Sequence, residues 1–154
     1  AVKTLAPATK IIAVQPAASP ALRDSLRDGK CYEEYPAAPT ICDGLAGGIG
    51  KICFEVARSR RLVQRSGDSS SEKARASEAQ KFVDDVIIVE EEETKAAIRV
   101  LAETQQLIVE GSGAVGVAAL LARKTNLQGK RVAVVISGGN IDLELLKEIL
   151  NRKS

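Results

Sequence analysis

The sequence predicts an α/β fold, with helices flanking a mostly parallel sheet. Three observations carry that expectation. Short aliphatic runs at Lys10–Gln15 (KIIAVQ), Asp85–Glu90 (DVIIVE) and Arg131–Ile136 (RVAVVI) alternate with stretches of helical periodicity. Aromatic residues make up only 3% of the chain and apolar residues 45%, so the core must be built from Ala, Val, Leu and Ile. Those are the residues of buried parallel strands and the helices that cover them. Gly and Ser cluster beside the predicted elements, as at Ser137-Gly138-Gly139-Asn140 directly after the third run.

Along the chain, residues 1–7 read as the last turn of a helix with no capping residue before it. Lys10–Gln15 is a strand that Pro16 ends. Pro20–Arg27 is a short helix, and Gly29 is its stop signal. After a loop containing Pro36 and Pro39, a helix is expected from about Gly47 to Arg61, with Ile49, Ile52, Cys53 and Val56 on one face. Ser66–Ala79 is rich in Ser, Lys, Arg and Glu and nearly lacks large apolar residues, which reads as a mobile surface loop or a solvated helix. Asp85–Glu90 is a buried strand. Glu91–Gln106 is an amphipathic helix using Ala97, Ile98, Leu101 and Ala102. Glu110-Gly111-Ser112-Gly113 opens a helix running through Ala114 to Lys124, whose small residues permit close packing. Arg131–Ile136 is the clearest strand, continuously apolar like a central parallel strand. Asp142 starts a last helix that reaches about Asn151.

Composition excludes several classes. The chain has 154 residues, enough for one domain with its own core, and the expected organisation is a single domain over 1–154. A formal net charge of +2 with few aromatics gives no nucleic-acid footprint. With no histidine, Ser-His-Asp and Cys-His catalysis and histidine metal sites are excluded, and no metal site is expected. Cys31, Cys42 and Cys53 form no C-x-x-C pair and read as buried or half-buried free thiols in a reducing compartment. No run is long and apolar enough to cross a membrane, and no signal-peptide pattern opens the chain, so a cytoplasmic location is expected.

Two motifs stand where a parallel sheet binds ligands. Ser137-Gly138-Gly139-Asn140 follows the third strand. Glu110-Gly111-Ser112-Gly113-Ala114 lies at a helix N-terminus, where free N–H groups favour polar or anionic partners. Glycines let the backbone approach a flat ligand, and a serine hydroxyl can bond a ring nitrogen. The plain alternative for each is a tight turn with serine as a cap. Gly111, Gly113 and Gly116 also match G-x-G-x-x-G, but a helix largely precedes them and no acidic residue ends the next strand, which disfavours NAD binding. Glu90–Glu93 reads as a solvated helix start favoured by the macrodipole.

Taken in order, Thr40-Ile41-Cys42-Asp43-Gly44-Leu45, Val83-Asp84-Asp85-Val86, Glu110-Gly111-Ser112-Gly113-Ala114 and Ser137-Gly138-Gly139-Asn140-Ile141-Asp142 resemble the C-terminal half of the threonine dehydratase and serine racemase family. These are fold-type II enzymes dependent on pyridoxal phosphate, with the tryptophan synthase β-like architecture. The resemblance covers nearly the whole chain except roughly Arg60–Gln80. It implies that Ser137 bonds the pyridine nitrogen of the cofactor and that Gly138 and Gly139 shape the turn beside the ring. Glu110 and Gly111 would line the same pocket, and Asp43 and Gly44 would lie near the cofactor or substrate. A neutral hydroxyl on the ring nitrogen suits β-elimination of water from serine or threonine, giving ammonia and a 2-oxo acid.

The chain departs from that family in what it lacks. The family's cofactor-bearing lysine, its substrate loop and its glycine-rich phosphate cup all belong upstream of the matching segments. No catalytic residue is therefore expected in this chain. Lys73, in Ser71-Glu72-Lys73-Ala74-Arg75, imitates the lysine motif but falls in the wrong order. Residues 60–80 look like a mobile insertion. Some relatives hold a divalent cation near the segment matching Gln15–Ala21, but Gln15 and Ala21 stand where carboxylates belong, so that site is not expected here. The expected function is part of an L-threonine/L-serine dehydratase, inactive alone. Its partners would be the missing N-terminal half, or further copies of itself, and a small hydroxy amino acid. The alternatives are a non-catalytic self-associating module and a serine racemase-like isomerase.

Overall fold

A computed structural model of the chain describes residues 2–62 and 79–151. It opens with α1 (Val2–Leu5), then β1 (Ile12–Pro16) and α2 (Ala21–Asp28). Gly29 ends α2 in the left-handed conformation (φ 66°) and returns its N–H to Ser25. A 3-10 turn at Asp43–Leu45 precedes α3 (Lys51–Arg58). Then come β2 (Arg60–Leu62), β3 (Ala79–Lys81) and β4 (Asp85–Val89). The helices α4 (Glu91–Gln105), α5 (Gly111–Leu121) and α6 (Leu143–Asn151) complete the order.

β1 and β4 pair in parallel, with Ile12 opposite Asp85 and Pro16 opposite Val89. Pro16 closes the strand without breaking it, because only its missing N–H is lost to the ladder. The α/β class with a small parallel sheet and flanking helices is therefore as expected. The sheet is covered by α5, which packs on both strands and on α4. The core lies between them, where Val89, Ala97, Ile98, Ala114 and Ala118 are fully buried. The small side chains of α5 bring its axis close to the sheet, as their composition predicts. α6 closes the far side of α4 with Leu146 and Ile149.

The start of α4 is held by a reciprocal capping box. The Glu90 side chain accepts from the N3 backbone, and Glu93 Oε2 accepts the Glu90 N–H at 2.7 Å. At α1, Lys3 Nζ lies 2.6 Å from Asp84 Oδ2 with the lysine side chain only 4% exposed. Asp84 Oδ2 also accepts the Ile11 N–H at 2.7 Å, which ties α1 and the approach to β1 against the approach to β4.

Three expectations are corrected. Arg131–Ile136 is not a strand: it is irregular, and among the described residues it makes no backbone hydrogen bond. β-propensity is context-dependent, and an apolar run becomes a strand only when a neighbour pairs with it. The helix expected over 47–61 is shorter, Lys51–Arg58. Gly47 (φ 93°) and the extended Gly50 keep its start from winding, and Ser59 turns extended into β2. Its buried face is Phe54 and Ala57, whereas Ile52 and Val56 of the expected face are 80% and 52% exposed, and Cys53 is exposed too. The apolar stripe is real, but it points away from the described core. The ends of the expected insertion pair as an antiparallel β2–β3 ladder, with Arg60 opposite Lys81. Residues 63–78, including Lys73, lie outside the described residues.

Candidate functional site

The C-terminal end of β4 leads directly into α4, and there Glu91 reaches across to the Thr40–Gly44 segment. Its two carboxylate oxygens accept from Thr40 Oγ1 at 2.8 Å and from the Ile41 N–H at 2.7 Å. Thr40 Oγ1 in turn accepts the Cys42 N–H at 3.1 Å. The adjoining Cys42 is fully buried, and burial pushes its thiol above the ordinary range although Thr40 and Thr94 pull the other way. Cys42 is thus a packing residue, not a thiolate.

A second carboxylate, Glu110, holds the Ser137–Asn140 turn. It stands at the N-cap of α5 but does not cap its own helix. Instead Oε2 accepts the Asn140 N–H at 3.1 Å, and the Glu110 N–H points to the Gly138 carbonyl at 3.4 Å. Gly138 has φ +74°, and a Cβ there would fall 2.2–2.5 Å from the Glu110 carboxyl group. Only glycine satisfies both the backbone and the contact.

The glycines of α5 face this chain's own atoms. A Cβ on Gly111 would meet the Ile41 carbonyl oxygen at 2.2 Å, and one on Gly113 the Ser137 carbonyl oxygen at 1.7 Å. One on Gly116 would meet Val134 Cγ1 at 2.7 Å. The G-x-G-x-x-G spacing thus lets two loops and one apolar run lie against a helix. The surface a dinucleotide would need is already covered.

The structure brings Asp43, Gly44, Glu110, Gly111, Ser137, Gly138 and Gly139 into one region at the C-terminal end of β4. Gly44 closes the group, since a Cβ there would sit 3.0 Å from Ser112 Oγ. A cavity of about 220 Å³ lies among Thr40, Asp43, Glu110, Gly111 and Asn140. That is below the roughly 300–1,000 Å³ of ordinary ligand pockets. A larger cleft of about 380 Å³, bordered by Arg23, Arg58, Asp84 and Asp85, lies at the opposite end of β4 and includes none of the motif residues. Ser112 Oγ is buried with no hydrogen-bond partner, and Ser137 is exposed with its hydroxyl unpartnered among the described residues. In the Gln15–Ala21 segment, Gln15 Oε1 accepts the Arg23 N–H at 3.0 Å, and Ser19 Oγ accepts the Gly47 N–H at the same distance.

Sequence reading missed Glu91 and Thr40 as site residues. Glu91 looked like one of four solvated carboxylates, and only the fold brings it to a loop fifty residues earlier.

A family model described as "Pyridoxal-phosphate dependent enzyme" matches residues 1–138. The chain belongs to this pyridoxal-phosphate dependent enzyme family. Within the family, it is 38% identical over 152 residues to the L-threonine ammonia-lyase of Thermotoga maritima, covering 99% of this chain and 32% of that protein. It is 31% identical to the serine racemase of Dictyostelium discoideum, covering 97% of this chain and 40% of that one. Among solved structures, maize serine racemase superposes with a TM-score of 0.70 at 27% identity, over 96% of this chain and 41% of that one. The processed form of threonine deaminase isoform 2 from Solanum lycopersicum superposes with a TM-score of 0.68 at 26% identity, over 96% and 37%. The chain spans about a third of the length of the curated threonine ammonia-lyases it matches. The fold is that of these fold-type II enzymes, and the family's cofactor is pyridoxal phosphate. Among the described residues no helix is long and apolar enough to cross a membrane.

Proposed function

We propose that this chain is the C-terminal portion of an L-threonine/L-serine dehydratase and supplies one wall of its pyridoxal-phosphate site. The observation that carries the reading is the convergence of two loops, at 40–44 and 137–140, and the start of α5, at 110–113, on the C-terminal end of β4. The residues fit the cofactor's ring edge. Ser137 offers an exposed, neutral hydroxyl suited to a ring nitrogen, and Gly138 and Gly139 present backbone without side chains beside it. When bound, pyridoxal phosphate supplies an electron sink for bond cleavage at the substrate α-carbon.

This chain's own residues orient and exclude. Glu110 holds the turn that presents Ser137, and Glu91 holds the loop that presents Asp43 and Gly44. The orphaned Ser112 hydroxyl is a further donor for a group entering beside Gly44. The lysine and the phosphate-binding loop of the resembling family have no counterpart among these motifs, so the chain alone releases no ammonia. The portion that completes the site, a lysine-bearing N-terminal half, is its partner, and a small hydroxy amino acid is the substrate.

The test is the visible absorption of the purified chain, alone and with its completing portion, followed by ammonia release from L-threonine. An imine band and turnover only in the completed protein are expected. Steady ammonia release by the chain alone, or no cofactor band in the completed protein, overturns the proposal. The resemblance to serine racemases favours one second reading, a racemase-like isomerase, which D-serine formation in the same assay separates from dehydration. Absence of cofactor binding in the completed protein, with self-association retained, would mark a non-catalytic module.

A further inference from the structure

The loop that carries Asp43 and Gly44 stands with both feet on the turn that follows β1. The first foot is Ala38, whose N–H donates to the Ala18 carbonyl at 3.0 Å. The second is Gly47, which Ser19 grips twice. The Ser19 hydroxyl donates to the Gly47 carbonyl and accepts the Gly47 N–H, each at 3.0 Å. Ser19 itself is fully buried. Gln15 fixes the turn from the strand side. Pro20 gives α2 no side-chain cap, and the buried Gln15 accepts the N–H of Arg23, in the first turn of that helix, in its place. Glu91 meets the same loop only between its feet, at Thr40 and Ile41.

We infer that Ser19 and Gln15 are positioning residues for the Asp43–Gly44 wall, and that they hold it by hydrogen bonds alone where some relatives hold a divalent cation. The inference rests on the reading of Asp43 and Gly44 as part of the cofactor site. The donor set does not fit a cation. A hard divalent ion takes several oxygen ligands, carboxylates among them. Gln15-Pro16-Ala17-Ala18-Ser19-Pro20-Ala21 contains no ionisable side chain. Gln15 Oε1 is taken by Arg23, Ser19 Oγ by Gly47, and the Pro16 carbonyl by the Ser19 N–H. Ala21 is fully buried and offers a methyl group. Asp24, the next carboxylate along the chain, is held by Arg23 and Tyr35.

The grip on Gly47 reaches the site through two short steps. The Ala46 N–H donates to the Asp43 carbonyl, and the Leu45 N–H to the Cys42 carbonyl, so the Asp43–Leu45 turn ends directly against the held residue. Removing the Ser19 hydroxyl deprives both polar groups of Gly47 at once and frees that end of the turn.

Amide exchange and urea unfolding of the purified chain test this, with chelator and with millimolar Mg2+ or Ca2+. Ser19→Ala should speed exchange at Gly47 and Ala46 by at least about tenfold. Ile41, which Glu91 holds, and Leu101 in the core should exchange as before. In the wild type, neither chelator nor cation should move the urea midpoint or the Gly47 rate, because an ion bound to the folded chain would raise its stability with concentration. Unchanged exchange at Gly47 in Ser19→Ala overturns the positioning role. So does equal acceleration at Gly47, Ile41 and Leu101, which would make Ser19 a general packing residue. Should Ser19→Ala not fold, Gln15→Leu gives the same reading: Arg23 and Gly47 accelerate and Ile41 does not. A wild-type midpoint that rises with Mg2+ or Ca2+ and falls with chelator overturns the cation-free hold. None of these readouts needs the cofactor, so a completed protein without an imine band would sink the dehydratase reading and leave the brace standing.

Discussion

Gly138 sits where two constraints coincide, a left-handed backbone and a carboxyl group against its Cα. Gly138→Ala should therefore cost the roughly 1 kcal/mol of the backbone conformation plus a steric part. The steric part should vanish when Glu110→Ala is made in the same chain, so a double-mutant cycle read by urea unfolding should show the two changes partly cancelling. Glu91 holds its loop by two bonds from one carboxylate. Glu91→Ala should cost about 1–2 kcal/mol, since hydrogen bonds to a charged group that is only partly exposed retain much of their value. It should also speed amide exchange at Ile41 while leaving Asn140 as it was. Equal acceleration at both amides would mean that the two loops are one unit and that Glu91 has no local role.

At the scale of elements, α6 is anchored by little but strong contact. Ile149 is fully buried, and its carbonyl accepts from Arg99 Nε of α4 at 2.9 Å. Ile149→Ala should destabilise the chain by about 2–5 kcal/mol, the cost of a buried aliphatic truncation. Because the Ser137–Asn140 turn lies just ahead of α6, that variant should also loosen the turn, measurable as faster exchange at Asn140. α3 shows why helix faces mislead. Its sequence carries apolar residues on two faces, and periodicity alone prefers the Ile52–Val56 stripe. The fold buries Phe54 and Ala57, and the helix packs on α2.

For the molecule as a whole, pH dependence should centre on the pair that ties α1 to the sheet. Burial pushes the Asp84 carboxyl up, but the Lys3 ammonium and the Ile11 N–H outweigh it and leave it below the usual carboxylate range. A carboxyl depressed in the folded state adds stability that is complete above its unfolded pKa of about 3.9 and is lost as the pH falls through the lower folded value. Stability should thus fall below about pH 4.5, and Asp84→Asn should flatten part of that fall while lowering stability at pH 7. Urea midpoints at several pH values check both. An unchanged slope in Asp84→Asn would assign the acid sensitivity to the other depressed carboxyls, Asp24 among them, whose pKa is lowered by bonds from Tyr35 and Arg23.

The sequence by itself determined the α/β class, the two paired strands, most helix positions and the ordered motifs that name the family. Those properties are local or periodic: KIIAVQ and DVIIVE are aliphatic runs of strand length, Gly29 is a helix stop, and Asp142 caps α6 through its bonds to the Glu144 and Leu145 N–H groups. The seven residues expected at the site were legible as motifs too, and the fold gathers them. Only the tertiary structure decided that Glu91 belongs with them, because its partner loop is distant in sequence. Only it decided that Gly111 and Gly113 of α5 are spaced for the chain's own carbonyls and Gly116 for the Val134 side chain. And only it decided that RVAVVI, the most strand-like run in the chain, stays unpaired here. A side chain's tendency is written beside it in the sequence, but a hydrogen-bond ladder needs a second strand, and which backbone supplies it is a property of the assembled whole.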